Sequence, residues 1–136
     1  MRWLLAALLC FAQYAAADDA SRYRDIRKLI NSNRHLSPHL VMAIDARTIK
    51  EVRKHISGDD IPVLVRMMGD KDYGVASAAS GLLATLGEEA RPALVRAAQS
   101  ANLAVGGQAR DALQLMDACA KDQRAMFANV CPRDKP

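Results

Sequence analysis

Residues 61–66 read IPVLVR, and thirty positions on, residues 91–96 read RPALVR. Holding that offset places Asp72 on Asn102, Val75 on Val105, Ala79 on Ala109, Leu83 on Leu113 and Leu86 on Met116. Stepping back by the same interval sets Ile49, Val52 and Ile56 opposite Ala79, Leu82 and Leu86. Apolar positions that keep phase over about fifty residues mark an internal repeat, with a period in the range of helical arrays.

Each period reads as two helices. Asp72 is placed to cap a helix whose apolar residues Val75, Ala79, Leu82, Leu83 and Leu86 fall at i, i+4, i+7, i+8 and i+11. Gly87 follows, the residue type that closes a helix by entering a backbone region closed to other residues. Glu88 and Glu89 stand where the positive end of the next helix favours acids, and Pro92 falls in its first turn, where a missing N–H costs little. That second helix is predicted to bury Leu94, Val95 and Ala98. The preceding period ends alike: Gly58 closes a helix, Asp59 or Asp60 caps the next, and Pro62 enters its first turn ahead of Leu64, Val65 and Met68. No stretch alternates usefully with a period of two, so no strand is predicted.

A lone helix pair of this size leaves its apolar face open to water. Stacking pairs covers it, which predicts an all-α chain built as a short α-solenoid of stacked antiparallel helix pairs. The pattern Asp70-Lys71-Asp72…Val75…Ala79…Leu82-Leu83…Leu86-Gly87, then Ala90-x-Pro92-x-Leu94, resembles the short HEAT repeats common in bacteria. The resemblance runs over residues 45–118 and implies a HEAT-like fold without naming an activity. It also implies that the second helices, which carry Arg66 and Arg96, line a concave face. Gly106 and Gly107 depart from the pattern, each costing about 1 kcal/mol against alanine in a helix. Either the turn there is irregular or a neighbouring backbone packs close to it. Residues 18–44 read as N-terminal capping helices, one carrying Ile26, Leu29 and Ile30, the next begun by Ser37-Pro38 with Leu40, Val41 and Ile44 inward. Residues 119–136 read as a C-terminal cap and tail.

Composition agrees with helices. The 136 residues are 51% apolar and only 4% aromatic, too apolar for a disordered chain and too poor in aromatic residues for a typical sheet. Residues 1–17, MRWLLAALLCFAQYAAA, have a basic start, an apolar run and small residues before Asp18. That is the layout of a secretory signal peptide cleaved near Ala17, and the run is short of the roughly 20 residues a membrane span needs. Leu9 stands where a lipoprotein signal places a small residue, which argues against lipidation of Cys10. An exported chain, periplasmic or secreted, would then retain Cys119 and Cys131, an even pair suited to a disulfide that pins the C-terminal cap. No stable membrane insertion is expected.

The site residues sort by what their chemistry requires. His35 and His39 have a metal-pair spacing, but Pro38 between them marks a helix start, and no third ligand stands nearby. The acid pairs Asp59-Asp60, Asp70/Asp72 and Glu88-Glu89 sit at predicted helix starts, where capping explains them. Ser77 and Ser80 lie in a small-residue run suited to close helix packing. No Gly-rich phosphate loop is present, so no cofactor, metal or catalytic residue is assigned. The net charge of +4 is low for a nucleic-acid binder, and none is expected as partner. Lys50, Arg53 and Lys54 share one helix face as a basic patch, and Arg22, Arg24, Arg27 and Lys28 form a second cluster. Both read most simply as solvated faces. Arg66 and Arg96, at equivalent positions of successive helices, with Arg91 nearby, are the residues expected to meet a partner's acids. The expected function is therefore an exported, non-enzymatic protein-binding module: an adaptor or an inhibitor or immunity-type protein. A cofactor-handling HEAT-like lyase and a purely structural module that self-associates as a homo-oligomer are the alternatives.

Overall fold

The computed structural model describes residues 18–34 and 46–121. Every regular element among them is helical. In chain order they are α1 (18–32), α2 (Ala46–Arg53), α3 (Ile61–Met67), α4 (Tyr73–Leu86), α5 (Arg91–Ala97) and α6 (Leu103–Ala120). Short 3-10 turns at Gly58–Asp60 and Gly87–Glu89 lead into α3 and α5.

The thirty-residue offset reappears in the element boundaries. Helices α3 and α5 start and stop thirty residues apart, as do the starts of α4 and α6. The caps repeat as well: Asp72 accepts from the N–H groups of Gly74 and Val75, and Asn102 accepts from those of Ala104 and Val105. Gly87 closes α4 at φ +68°, a conformation only glycine takes without strain, as the sequence leads one to expect. One boundary differs. Helix α2 ends at Arg53, short of Gly58, which opens a 3-10 turn instead of closing a helix.

Helix α3 packs on α4 and α5 on α6, while α4 lies between α2 and α6, and α3 beside α5. The core between the two rows is aliphatic: Val52, Leu64, Met67, Met68, Val75, Leu82, Leu83 and Leu94 have no exposed surface. Residues Ile26 and Ile30 of α1 complete it, also fully buried. Small residues set the spacing. A Cβ on Gly81 would lie 3.0 Å from Ile49 Cδ1, so α2 and α4 approach closely there. The buried Ser80 hydroxyl donates to the Gln108 carbonyl oxygen at 2.8 Å, tying α4 to α6. Helix α6 runs unbroken through Gly106 and Gly107. A Cβ on Gly106 would meet the Ala98 carbonyl oxygen at 3.4 Å, an ordinary contact, so the turn is regular and a neighbouring backbone lies alongside Gly106 without excluding a side-chain carbon.

Burial of the second helix of each period departs from the prediction at one position. Leu94 is buried as expected, but Val95 is 46% exposed, and Ala97 takes the inward place. The equivalent Val65 is half-buried against the core, and α3 has α5 as a neighbour. Among the described residues α5 has no further neighbour on its far side. The second capping helix expected over 37–44, His35 and His39, residues 1–17 with Cys10, and Cys131 all lie outside the described residues.

Candidate partner-binding face

The sequence assigned three arginines to a partner, and the structure gives them different surroundings. Arg66 and Arg96 are exposed in the last turns of α3 and α5. Arg91, at the opposite end of α5, is half-buried and already paired. Its Nε lies 3.0 Å from Glu88 Oε2 and its Nη2 3.3 Å from Asp117 Oδ1, so it clamps the 3-10 turn to α6. These acids hold its pKa above the ordinary guanidinium value, Glu88 most strongly.

A cation in the last turn of a helix complements the negative end of the dipole, and that alone explains a basic residue at 66 and 96. It does not explain what surrounds Arg66. The Arg66 guanidinium carbon sits 5.4 Å from the centroid of the Tyr23 ring, a cation–π contact from α1 to α3. The Tyr23 hydroxyl donates to Asp70 Oδ2 at 2.6 Å, and Arg27 Nε donates to the same oxygen at 3.1 Å. Asp70 also accepts from the N–H of Asp72 at 2.8 Å. Burial would raise the Asp70 pKa, but the bonds from Tyr23, the Asp72 N–H and Arg27 outweigh it and hold the carboxyl below its usual range. Tyr23 moves the other way: burial and the Asp70 carboxylate push its phenol up to about 12. The result is a chain of contacts, Arg27–Asp70–Tyr23–Arg66, that holds one arginine in place.

Two further acids, Asp72 and Asp60, are also taken. Asp72 Oδ1 receives Arg34 Nη2 at 2.6 Å while capping α4, and its pKa is lowered chiefly by that bond. Asp60 does not cap α3 with its side chain. It receives Arg22 through Nε at 2.7 Å and Nη2 at 2.9 Å, and the Ser57 N–H at 3.0 Å. The Arg22 bond is the largest reason its pKa falls. Arg22 and Arg27, read from sequence as part of a solvated cluster, are therefore the ion pairs that dock α1. Sequence reasoning missed Tyr23 and Asp70 because 47 residues separate the partners and no local pattern links them.

The basic patch on α2 is weaker. Lys54 pairs with Glu51 at 2.6 Å, Arg53 donates to the Ile56 carbonyl oxygen at 2.8 Å, and Lys50 stays exposed. On the outer side of α6, Arg110, Leu113, Gln114, Asp117, Ala118 and Lys121 line an open groove of about 480 Å³ with charges of both signs. Cys119 lies in the last turn of α6. Among the described residues, no group of three His, Cys, Asp or Glu side chains could hold a metal ion, and no helix is long and apolar enough to cross a membrane. Comparison with protein-family models, with curated proteins and with solved structures gives no match.

Proposed function

We propose that this chain is an exported, non-enzymatic protein-binding module, a short HEAT-like α-solenoid serving as an adaptor or an inhibitor or immunity-type protein of the cell envelope. The observation that carries the reading is the repetition of an exposed arginine, Arg66 then Arg96, at the same place on two neighbouring helices while the nearby carboxylates Asp70 and Asp72 are bonded within the chain. A cationic strip results that lacks a counter-charge among the described residues and attracts acids from outside.

The ends of the helix rows support a closed, short stack. Ser80 and Ala84 of α4 are buried against the next helix, whereas their equivalents in α6 are the exposed Arg110 and Gln114. A polar outer face is what a terminal repeat needs in order to stop further stacking. A Cys119–Cys131 disulfide would reinforce that end, worth roughly 3 kcal/mol by the loop-entropy argument.

The test is charge reversal. A protein carrying both Arg66→Glu and Arg96→Glu should lose its retained envelope partners in quantitative affinity capture, with its unfolding temperature little changed. Equal capture by the variant would remove this face from consideration.

A further inference from the structure

We infer that one end of this molecule, formed by the α3–α4 and α5–α6 turns, docks on an anionic lipid surface with Tyr73 and Leu103 entering the interface. Such docking needs no protein partner, and it stands or falls separately from the capture of one. Tyr73 and Leu103 are the first residues of α4 and α6, thirty positions apart. They are 52% and 83% exposed, and with Val95 they are the large exposed apolar side chains among the described residues. Asn102 already caps α6, so the helix start does not require a leucine at 103. The two turns touch: a Cβ on Gly69 would fall 3.1 Å from Val105 Cγ2 and 3.6 Å from Asn102 Nδ2. Both apolar residues therefore belong to one continuous surface.

The exposed charges around them have one sign. Arg66 and Arg96 end α3 and α5, and Lys71 is exposed in the turn before α4. Arg110 donates to the Ala98 carbonyl oxygen at 3.0 Å, which brings its charge to the turn before α6. The acids of this end, Asp70 and Asp72, are bonded to Arg27 and Arg34. The exposed Asp59, Glu88 and Glu89 stand at the opposite ends of α3 and α5, and the exposed Asp111 lies eight residues beyond Leu103, about 12 Å along α6. Apolar side chains rimmed by cations complement an anionic bilayer, because charge attracts the surface and apolar burial holds it there.

The backbone of the turns suits the same occupant. The N–H groups of Gly69, Asp70 and Asp72 in one turn, and of Ser100, Asn102 and Ala104 in the other, are bonded within the chain. They can enter a water-poor interface without losing a partner, and they are not offered to a docking peptide. Tyrosine settles at headgroup level, with its ring toward the acyl chains and its hydroxyl in water.

Vesicle sedimentation tests the inference on the full chain carrying Trp3→Phe and on the chain beginning at Asp18, which has no tryptophan of its own. The chain from Asp18 should bind vesicles of equal phosphatidylglycerol and phosphatidylcholine and not those of phosphatidylcholine alone. Leu103→Ser should weaken that binding roughly tenfold and Lys71→Glu roughly fivefold, with unchanged circular dichroism, while Val95→Ser stays within about twofold. In both chains a tryptophan introduced by Leu103→Trp should shift to the blue and be quenched by brominated lipid, and one introduced by Asp59→Trp at the other end should not. Equal binding to phosphatidylcholine alone, unchanged binding by Leu103→Ser, or equal quenching at 59 and 103 overturns the inference. None of these variants alters Arg66 or Arg96, so failure here leaves the proposed protein-binding face untouched.

Discussion

Replacing Asp70 with alanine removes a carboxylate that joins Tyr23 and Arg27 of α1 to the turn before α4. Its side chain is 7% exposed and accepts from Tyr23, Arg27 and the Asp72 N–H. The Tyr23 bond to a charged acceptor contributes about 1.5–2 kcal/mol and the backbone N–H bond about 1 kcal/mol. The Arg27 side chain is exposed enough that no separate contribution is assigned to it. The sum is about 2.5–3 kcal/mol, which for a domain of this size lowers the melting temperature by roughly 10–20 °C. Urea unfolding of Asp70→Ala beside a Lys71→Ala control, which alters an exposed neighbour, measures the difference. Adding Tyr23→Phe makes a double-mutant cycle, and the coupling between 23 and 70 should be at least about 1 kcal/mol. A loss below about 1 kcal/mol in Asp70→Ala, or no coupling in the cycle, would show that α1 is held by Ile26, Ile30 and the Arg22–Asp60 pair without Asp70, and that the polar chain beneath Arg66 does not hold it in place.

Three further outcomes follow from the same contacts. Asp60, Asp70 and Asp72 have folded pKa values held below the ordinary 3.8, so their stabilisation is complete above that pH and disappears as the pH falls through the lowered values; urea midpoints should be flat above about pH 5 and drop steeply below pH 4. Gly87→Ala forces a side chain into φ +68° and should cost about 1 kcal/mol or more, whereas Gly107→Ala, in a helix interior with nothing within 4 Å of the added carbon, should gain about 0.5–1 kcal/mol; paired thermal melts check the opposite signs. Leu94→Ala empties a fully buried site between α5 and its neighbours and should cost about 2–5 kcal/mol in chemical unfolding, unlike Val95→Ala at its exposed neighbour.

What could be read along the chain was whatever depends on neighbours within a turn or on a regular period. Asp72 caps α4 because its carboxylate meets N–H groups two and three residues on, and Gly87 ends that helix because the required backbone angle belongs to glycine. The thirty-residue echo fell into register with the helices for the same reason: apolar spacing and caps act locally, and repetition copies them. Burial at the end of a row is not local. Val95 carries the same side chain as Val65, yet it is 46% exposed where Val65 packs against the core, and nothing in its local sequence marks the difference.

Charged residues divide in the same way. Arg22 and Arg27, with Arg24 and Lys28, read from the sequence as a solvated basic cluster, Arg34 carried no reading, and nothing near them in the chain says otherwise. Folding carries α1 across to Asp60, Asp70 and Asp72, 38 to 43 residues away, and turns those arginines into its docking bonds. The same folding decides that Arg91 is spent on Glu88 and Asp117 while Arg66 rests on Tyr23 and Arg96 is left facing water. Helix boundaries and the repeat were thus legible residue by residue, because short-range hydrogen bonds and periodic burial create them. Which cations among the described residues stay unpaired was settled by long-range pairing, because a charge's surroundings depend on every acid that three-dimensional packing brings within reach.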